Sequence, residues 1–152
     1  MSIIEEPTLT HHAMLVAWGQ YAHCIGLIKG LEAVPIHQKG VNHRPQTKVL
    51  EFLVAILGGF EYLKDISFSG HPLDKDTTVA RAWGQPKWAD YSGVSRTLSS
   101  LTLEEVEAIS QVVEQVNQPF IDKEVVLALS TIGRLELDGD LTPRPVSNSS
   151  TT

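Results

Sequence analysis

Apolar residues recur at steps of three and four along most of this chain of 152 residues. That spacing is typical of amphipathic helices, which bury one face. Thr102 followed by Glu105 is a capping box, the arrangement that starts a helix by satisfying its first amide groups. The predicted helices cover residues 11–33, 47–64, 73–83, 93–100, 102–117 and 119–133. The expected fold class is therefore mainly α.

The pattern changes after the last predicted helix. Residues 134–138 alternate polar and apolar side chains, which is the period-2 pattern of a β-strand. A single strand is stable only when it pairs with another. We therefore expect a helical region followed by one strand, the pattern of the front part of something longer.

Charge is distributed unevenly along the chain. The formal net charge is −6, so the chain as a whole is not a basic nucleic-acid clamp. Residues 34–50 contain no acidic residue, and their charged side chains are Lys39, Arg44 and Lys48. Residues 101–125, in contrast, contain six acids and one lysine. The basic segment is able to contact phosphates, and a solvated loop is the alternative interpretation.

Several classes of protein are excluded. The only cysteine, Cys24, has no partner for an internal disulfide or a cysteine-based zinc site. The N-terminal residues lack the basic segment of an export signal. The longest apolar stretch, residues 49–60, is shorter than the roughly 20 residues of a membrane helix. We expect a soluble, cytoplasmic protein with no membrane partner.

Two aspartates form the first candidate site. Asp138 and Asp140 are two residues apart, so a strand through both would place them on the same face. A carboxylate pair at a strand end is a common Mg²⁺ site for phosphoryl transfer, because hard cations prefer oxygen ligands. The Asp138-Gly139 dipeptide is also typical of a tight hairpin turn, and both interpretations stay open.

A short predicted helix forms the second candidate site. The segment SGVSRTL follows another predicted helix across a loop that contains glycine and proline. This arrangement is similar to a helix-turn-helix unit, which would offer Ser95, Arg96 and Ser99 to DNA. The alternative is an ordinary amphipathic helix with Val94 and Leu98 directed inward.

Three segments together resemble a known family. They are HRPQTKVLEFLVAILGGFEYLKDIS, HPLDKDTTVARAWGQPKWADYSGVSRTL and RLELDGDLTPRPVSNSSTT. In this order they resemble the N-terminal part of bacterial insertion-sequence transposases with an Asp-Asp-Glu (DDE) triad, and the resemblance extends from about His37 to Thr152. It implies a helical region that binds the ends of the mobile element. A catalytic domain with an RNase H-like α/β fold would follow, of which this chain would hold only the incomplete start. In the intact enzyme that domain cuts and joins DNA in transposition by Mg²⁺-dependent phosphodiester transfer.

The resemblance also implies roles for individual residues. The first strand of the catalytic domain would be Arg134–Leu141, with Asp140 or Asp138 as the catalytic, metal-binding aspartate. Asp140 is favoured because Asp140-Leu141-Thr142 resembles the Asp-x-Thr form of that motif. Ser95 and Arg96 would contact DNA. The implied domains are an N-terminal helix over residues 1–36, a helical DNA-binding-type region over 37–131 and the start of the catalytic domain over 132–152.

The family's second aspartate and its glutamate, which lie on later elements, have no counterpart in this sequence. Because two-metal chemistry needs several carboxylates around the ions, we expect a truncated fragment that is inactive alone and holds Mg²⁺ weakly. DNA at the element ends is the expected partner, and formation of a homo-oligomer is left open. The alternative is a small, self-contained helical protein that associates with other proteins through the acidic helix over residues 102–117.

Overall fold

The computed structural model describes residues 9–40 and 42–135, which are mainly helical, as predicted. Within these ranges the chain forms seven α-helices and one 3₁₀ helix and no strand. In chain order the elements are α1 (Ala13–Cys24), α2 (Leu27–Ala33), α3 (Pro45–Leu57), α4 (Asp65–Phe68), a 3₁₀ helix (Leu73–Lys75), α5 (Thr77–Ala82), α6 (Tyr91–Ser99) and α7 (Leu103–Thr131). Among the described residues, no helix combines the length and the apolar character that crossing a bilayer demands.

The predicted strand over Arg134–Leu141 lies almost entirely outside the described residues. Arg134 and Leu135 are its two described members, and neither is part of a strand. Asp138 and Asp140 lie outside the described residues. The RNase H-like portion of the predicted fold therefore stays a prediction.

The chain divides into two compact units, one that ends at Asn117 and one that begins at Gln118. In the second unit the described residues are 118–135, which comprise the C-terminal part of α7 and a turn at Gly133. The domain limits predicted after residues 36 and 131 stay predictions.

The helix predicted over residues 11–33 is divided into two. α1 ends at Cys24 and α2 begins at Leu27, and Gly26 between them has a φ of 79°. This left-handed conformation is open to glycine and strained for most other residues. The prediction of one continuous helix is wrong because the apolar periodicity does not reveal this change of backbone direction.

The second predicted helix, over residues 47–64, is shorter in the structure and begins earlier. α3 starts at Pro45, which suits a first helical position because that position needs no amide hydrogen. It ends where Gly58 and Gly59 follow, and Gly59 has a φ of 74°. The prediction that this glycine pair lies inside the helix is wrong, since the pair ends it.

Aspartate side chains cap two of the short helices. Asp76 caps α5 and so separates it from the 3₁₀ helix, within a segment predicted as one helix over residues 73–83. Asp90 caps α6 by accepting the backbone N–H of Gly93 at 2.6 Å. Ser92 lies within the first turn of this helix.

α7 begins with the predicted capping box. The backbone N–H of Thr102 donates to Glu105 Oε2 at 3.0 Å, and the N–H of Glu105 donates to Thr102 Oγ1 at 3.2 Å. The prediction that Pro119 opens a separate helix is wrong, because Pro119 lies inside α7. Proline removes one i→i−4 hydrogen bond, and the helix continues on both sides of it.

Close contact between α1 and α5 shapes the core. A Cβ atom added at Gly19 would lie 2.6 Å from the carbonyl oxygen of Ala82, so glycine permits this approach. The indole Nε1 of Trp83, which is buried, donates to the carbonyl oxygen of Leu15 at 2.8 Å. The fully buried aliphatic side chains are Leu50, Val54, Ile66, Leu73, Val79, Ala80 and Val94. Two of them, Leu50 and Val54, belong to α3, which therefore forms part of the core.

Candidate functional site

Three cationic side chains line one cavity of about 340 Å³ in the first unit. Lys39 and Lys48 come from the predicted basic segment, and Arg96 comes from the predicted DNA-contact helix. The other lining residues are Asn42, His43, Ala89, Asp90 and Gly93. We call this the cationic cavity. Its composition shows that two segments far apart in the sequence meet at one site.

Two features of the fold bring these segments together. α3 packs against α6, and a Cβ atom added at Gly93 would lie 3.8 Å from Cε of Lys48. The stem of Lys48 therefore passes close to the first turn of α6. Gln38 adds a second connection, because its Nε2 donates to the carbonyl oxygen of Thr97 in α6 at 3.0 Å.

Asp90 is the one carboxylate that lines the cationic cavity within the described part of the chain. Its Oδ1 accepts the N–H of Gly93 at 2.6 Å and the hydroxyl of Ser92 at 2.9 Å. These hydrogen bonds lower the pKa of Asp90, and the charges of Arg96 and His43 lower it further. Asp90 is therefore ionised at neutral pH, and the lining keeps an excess of positive charge.

His43 adds a titratable group to the cationic cavity. Burial is the largest cause that lowers the pKa of His43, and the positive charges of Lys87 and Lys48 lower it further. The negative charge of Asp90 raises it, which offsets part of this effect. The imidazole is thus mainly neutral at pH 7. A bound anion would favour its protonated form, because opposite charges stabilise each other.

Glu51 is a polar residue that the sequence analysis did not single out. It lies on α3 with 0% of its surface exposed, and its Oε2 accepts the N–H of Ala89 at 2.8 Å. Its Oε1 is buried and has no hydrogen-bond partner among the described residues. Burial raises the pKa of Glu51 to about 8, with Asp74 and Asp90 also raising it. The available signal was a lone acid within the apolar stretch of residues 49–60.

The other predicted DNA-contact residues do not line the cationic cavity. Arg44 is exposed, and its Nη2 donates to the carbonyl oxygen of Glu32 at 3.3 Å, near the end of α2. Ser95 is half-buried and Ser99 is exposed, both on α6. Of the six predicted contacts, the structure thus gathers three at one site.

The predicted Mg²⁺ site cannot be placed in the structure. Asp138 and Asp140, its expected ligands, lie outside the described residues. Within residues 9–40 and 42–135, no group of three or more histidine, cysteine, aspartate or glutamate side chains is arranged to hold a metal ion. Metal binding by the aspartate pair stays a prediction.

Comparisons with known proteins identify no relative. No family model matches the sequence, and neither the curated proteins nor the solved structures show significant similarity to it. The resemblance to DDE transposases therefore depends on the segments quoted above, and the cationic cavity is interpreted from its own geometry.

Proposed function

We propose that this chain is the DNA-binding part of an insertion-sequence transposase and that the cationic cavity binds backbone phosphates of DNA. The observation that carries the proposal is the convergence of Lys39, Lys48 and Arg96 on one cavity. Lysine and arginine are the side chains that neutralise DNA phosphates. The planar guanidinium of Arg96 also suits paired hydrogen bonds to phosphate oxygens.

The charge of the whole chain limits the strength of such binding. Because the net charge is −6, long-range attraction to DNA is weak, and the contact depends on the local excess of cations. Binding through this cavity should therefore be strongest at low ionic strength and should weaken steeply as salt is added.

The catalytic part of the proposal concerns the intact transposase. There, Asp140 or Asp138 would bind Mg²⁺ and contribute to cutting and joining DNA. This part is supported by the resemblance alone, whereas phosphate binding is supported by the contacts of the cationic cavity.

Fluorescence anisotropy with a labelled duplex oligonucleotide of random sequence tests phosphate binding. The test variant is Lys48→Gln/Arg96→Gln. The charge-matched control is Lys29→Gln/Arg81→Gln, in which both native side chains are exposed and lie away from the cavity. We expect the test variant to bind about tenfold more weakly at low salt, with its salt slope reduced by about one to two. The control should stay within about twofold of the wild type.

An equal loss of affinity in the two variants would contradict the proposal. It would show that DNA binding depends on the net charge of the protein and that the cationic cavity is not the binding site. The transposase assignment has its own test. We expect inverted repeats to flank the gene and the chain to bind them more tightly than random duplex. Equal binding to both would refute the assignment.

Association with a partner protein is a second candidate function, which exposed apolar side chains favour. In the described part of the second unit these side chains are Phe120, Ile121, Val126, Leu127, Leu129, Ile132 and Leu135. Such exposure is frequent at interaction surfaces. The stretch follows the acidic segment over residues 102–117 that the sequence alone suggested for this role. If the partner is a second copy of this chain, the sedimentation coefficient should rise with protein concentration; a constant coefficient would contradict self-association.

A further inference from the structure

The buried carboxyl group of Glu51 is connected to the cationic cavity by a short chain of contacts. Its Oε2 accepts the N–H of Ala89, which lines the cavity. The next residue, Asp90, caps α6 and lines the cavity as well. On α3, Lys48 lies three residues before Glu51, so the two share one side of the helix. Glu51 therefore lies where a change in its charge affects both Lys48 on α3 and the segment of Ala89 and Asp90 before α6.

We infer that Glu51 is a positioning residue that controls phosphate binding in the cationic cavity through its protonation state. The neutral acid accepts the Ala89 N–H and leaves the positive charge of Lys48 available to a phosphate. The carboxylate would add a negative charge beneath the cavity and offset that of Lys48. This inference rests on the proposed phosphate-binding function.

Three charged groups influence Glu51 electrostatically, one on its own helix and two on neighbouring segments. Lys48 lies on the same helix, Asp74 belongs to the 3₁₀ helix, and Asp90 lies just before α6. Burial is the largest cause that raises the pKa of Glu51 to about 8. The two aspartates raise it further, while the Ala89 N–H and Lys48 lower it.

Asp74 makes a rearrangement around an ionised Glu51 costly. Its side chain is mostly buried, its Oδ2 lies 3.8 Å from Nζ of Lys75, and its Oδ1 is buried with no partner among the described residues. In the described structure Glu51 accepts a single hydrogen bond, from the Ala89 N–H, and its buried Oε1 accepts none. Ionisation of Glu51 should therefore strain the segment that precedes α6.

The experiment measures the affinity of the whole chain for a labelled duplex oligonucleotide from pH 6 to pH 9.5 at constant low salt. The variants are Glu51→Gln, which mimics the neutral acid, and Glu61→Gln, an exposed control. We expect the wild type and Glu61→Gln to lose about tenfold in affinity between pH 7 and pH 9, with a midpoint near 8. Glu51→Gln should match the wild type at pH 7 and stay nearly constant above it.

The outcomes separate this inference from the proposed function. No binding by the wild type at any pH would refute phosphate binding and, with it, the role of Glu51. Binding with the same pH profile in the wild type and Glu51→Gln would refute the role of Glu51 alone.

A second measurement on the wild type does not require that Glu51→Gln folds. The backbone amide resonance of Ala89, which donates to Glu51, should shift with a midpoint near pH 8. An amide resonance that stays constant through this range would overturn the inference.

Discussion

Replacement of the buried Glu51 by glutamine should change how the stability of the protein depends on pH. Glutamine keeps the shape of the protonated side chain and an oxygen that can accept the Ala89 N–H, but it does not titrate. In the wild type, burial raises the pKa of Glu51 from 4.5 to about 8. The folded protein therefore retains a proton that the unfolded chain releases.

The sign and size of the effect follow from this difference in proton binding. Between pH 4.5 and about pH 8 the folded state binds more protons than the unfolded state, so stability falls as pH rises. For one proton, the free energy of unfolding falls by about 1.4 kcal/mol per pH unit, or by roughly 3 kcal/mol between pH 5 and pH 7. The stabilising contribution of protonated Glu51 is complete below its pKa in the unfolded chain. It is lost once the pH exceeds the pKa of Glu51 in the folded protein.

Urea unfolding of the wild type, Glu51→Gln and the exposed control Glu61→Gln at pH 5, 6, 7 and 8 measures this effect. Comparison among the three proteins cancels the contribution of every titrating group other than Glu51. We expect the free energy of unfolding of Glu51→Gln, relative to that of the wild type, to rise by about 1.4 kcal/mol for each pH unit. The free energy of unfolding of Glu61→Gln should follow that of the wild type. Parallel curves for all three would refute the assignment of a neutral, buried Glu51.

Two further predictions concern the packing and capping of helices, and urea unfolding measures both. Gly19→Ala should cost about 1–3 kcal/mol, because the new methyl group would clash with the carbonyl oxygen of Ala82. Gly70→Ala, a control with open space around it, should stay within about 0.5 kcal/mol of the wild type. Thr102→Ala should cost about 1 kcal/mol through loss of the cap of α7. Equal stability of the two glycine variants would contradict the close approach of Gly19 to Ala82. An unchanged free energy of unfolding in Thr102→Ala would contradict the cap of α7.

Helix starts that depend on neighbouring residues could be predicted from the sequence. The capping box of Thr102 and Glu105 is an example, because its two hydrogen bonds join residues three positions apart. The ends of the helices were harder to predict from the sequence. Gly26 breaks a helix whose apolar pattern continues, and Pro119 lies inside a helix that its residue type suggested it would begin. At Gly26 the left-handed backbone that glycine allows prevails over the apolar periodicity. At Pro119 the helix continues through the proline in spite of the lost hydrogen bond.

The candidate site could be predicted only in parts. The sequence drew attention to Lys39, Lys48 and Arg96 as separate basic residues, but their meeting depends on the packing of α3 against α6. Periodicity indicates which face of a helix is apolar and does not indicate which helix covers it. For the same reason Arg44 could not be distinguished from its neighbours, although its side chain is bonded to the end of α2.

Asp90 has two roles that oppose each other. Its carboxylate stabilises the start of α6, and under the proposed phosphate binding the same negative charge would repel a phosphate from the cationic cavity. A phosphate that displaced this carboxylate from the Gly93 amide would itself serve as the cap, since helix N-termini bind anions. If the cavity binds phosphate as proposed, Asp90 would stabilise the fold and weaken phosphate binding at the same time, so this one side chain could not favour both.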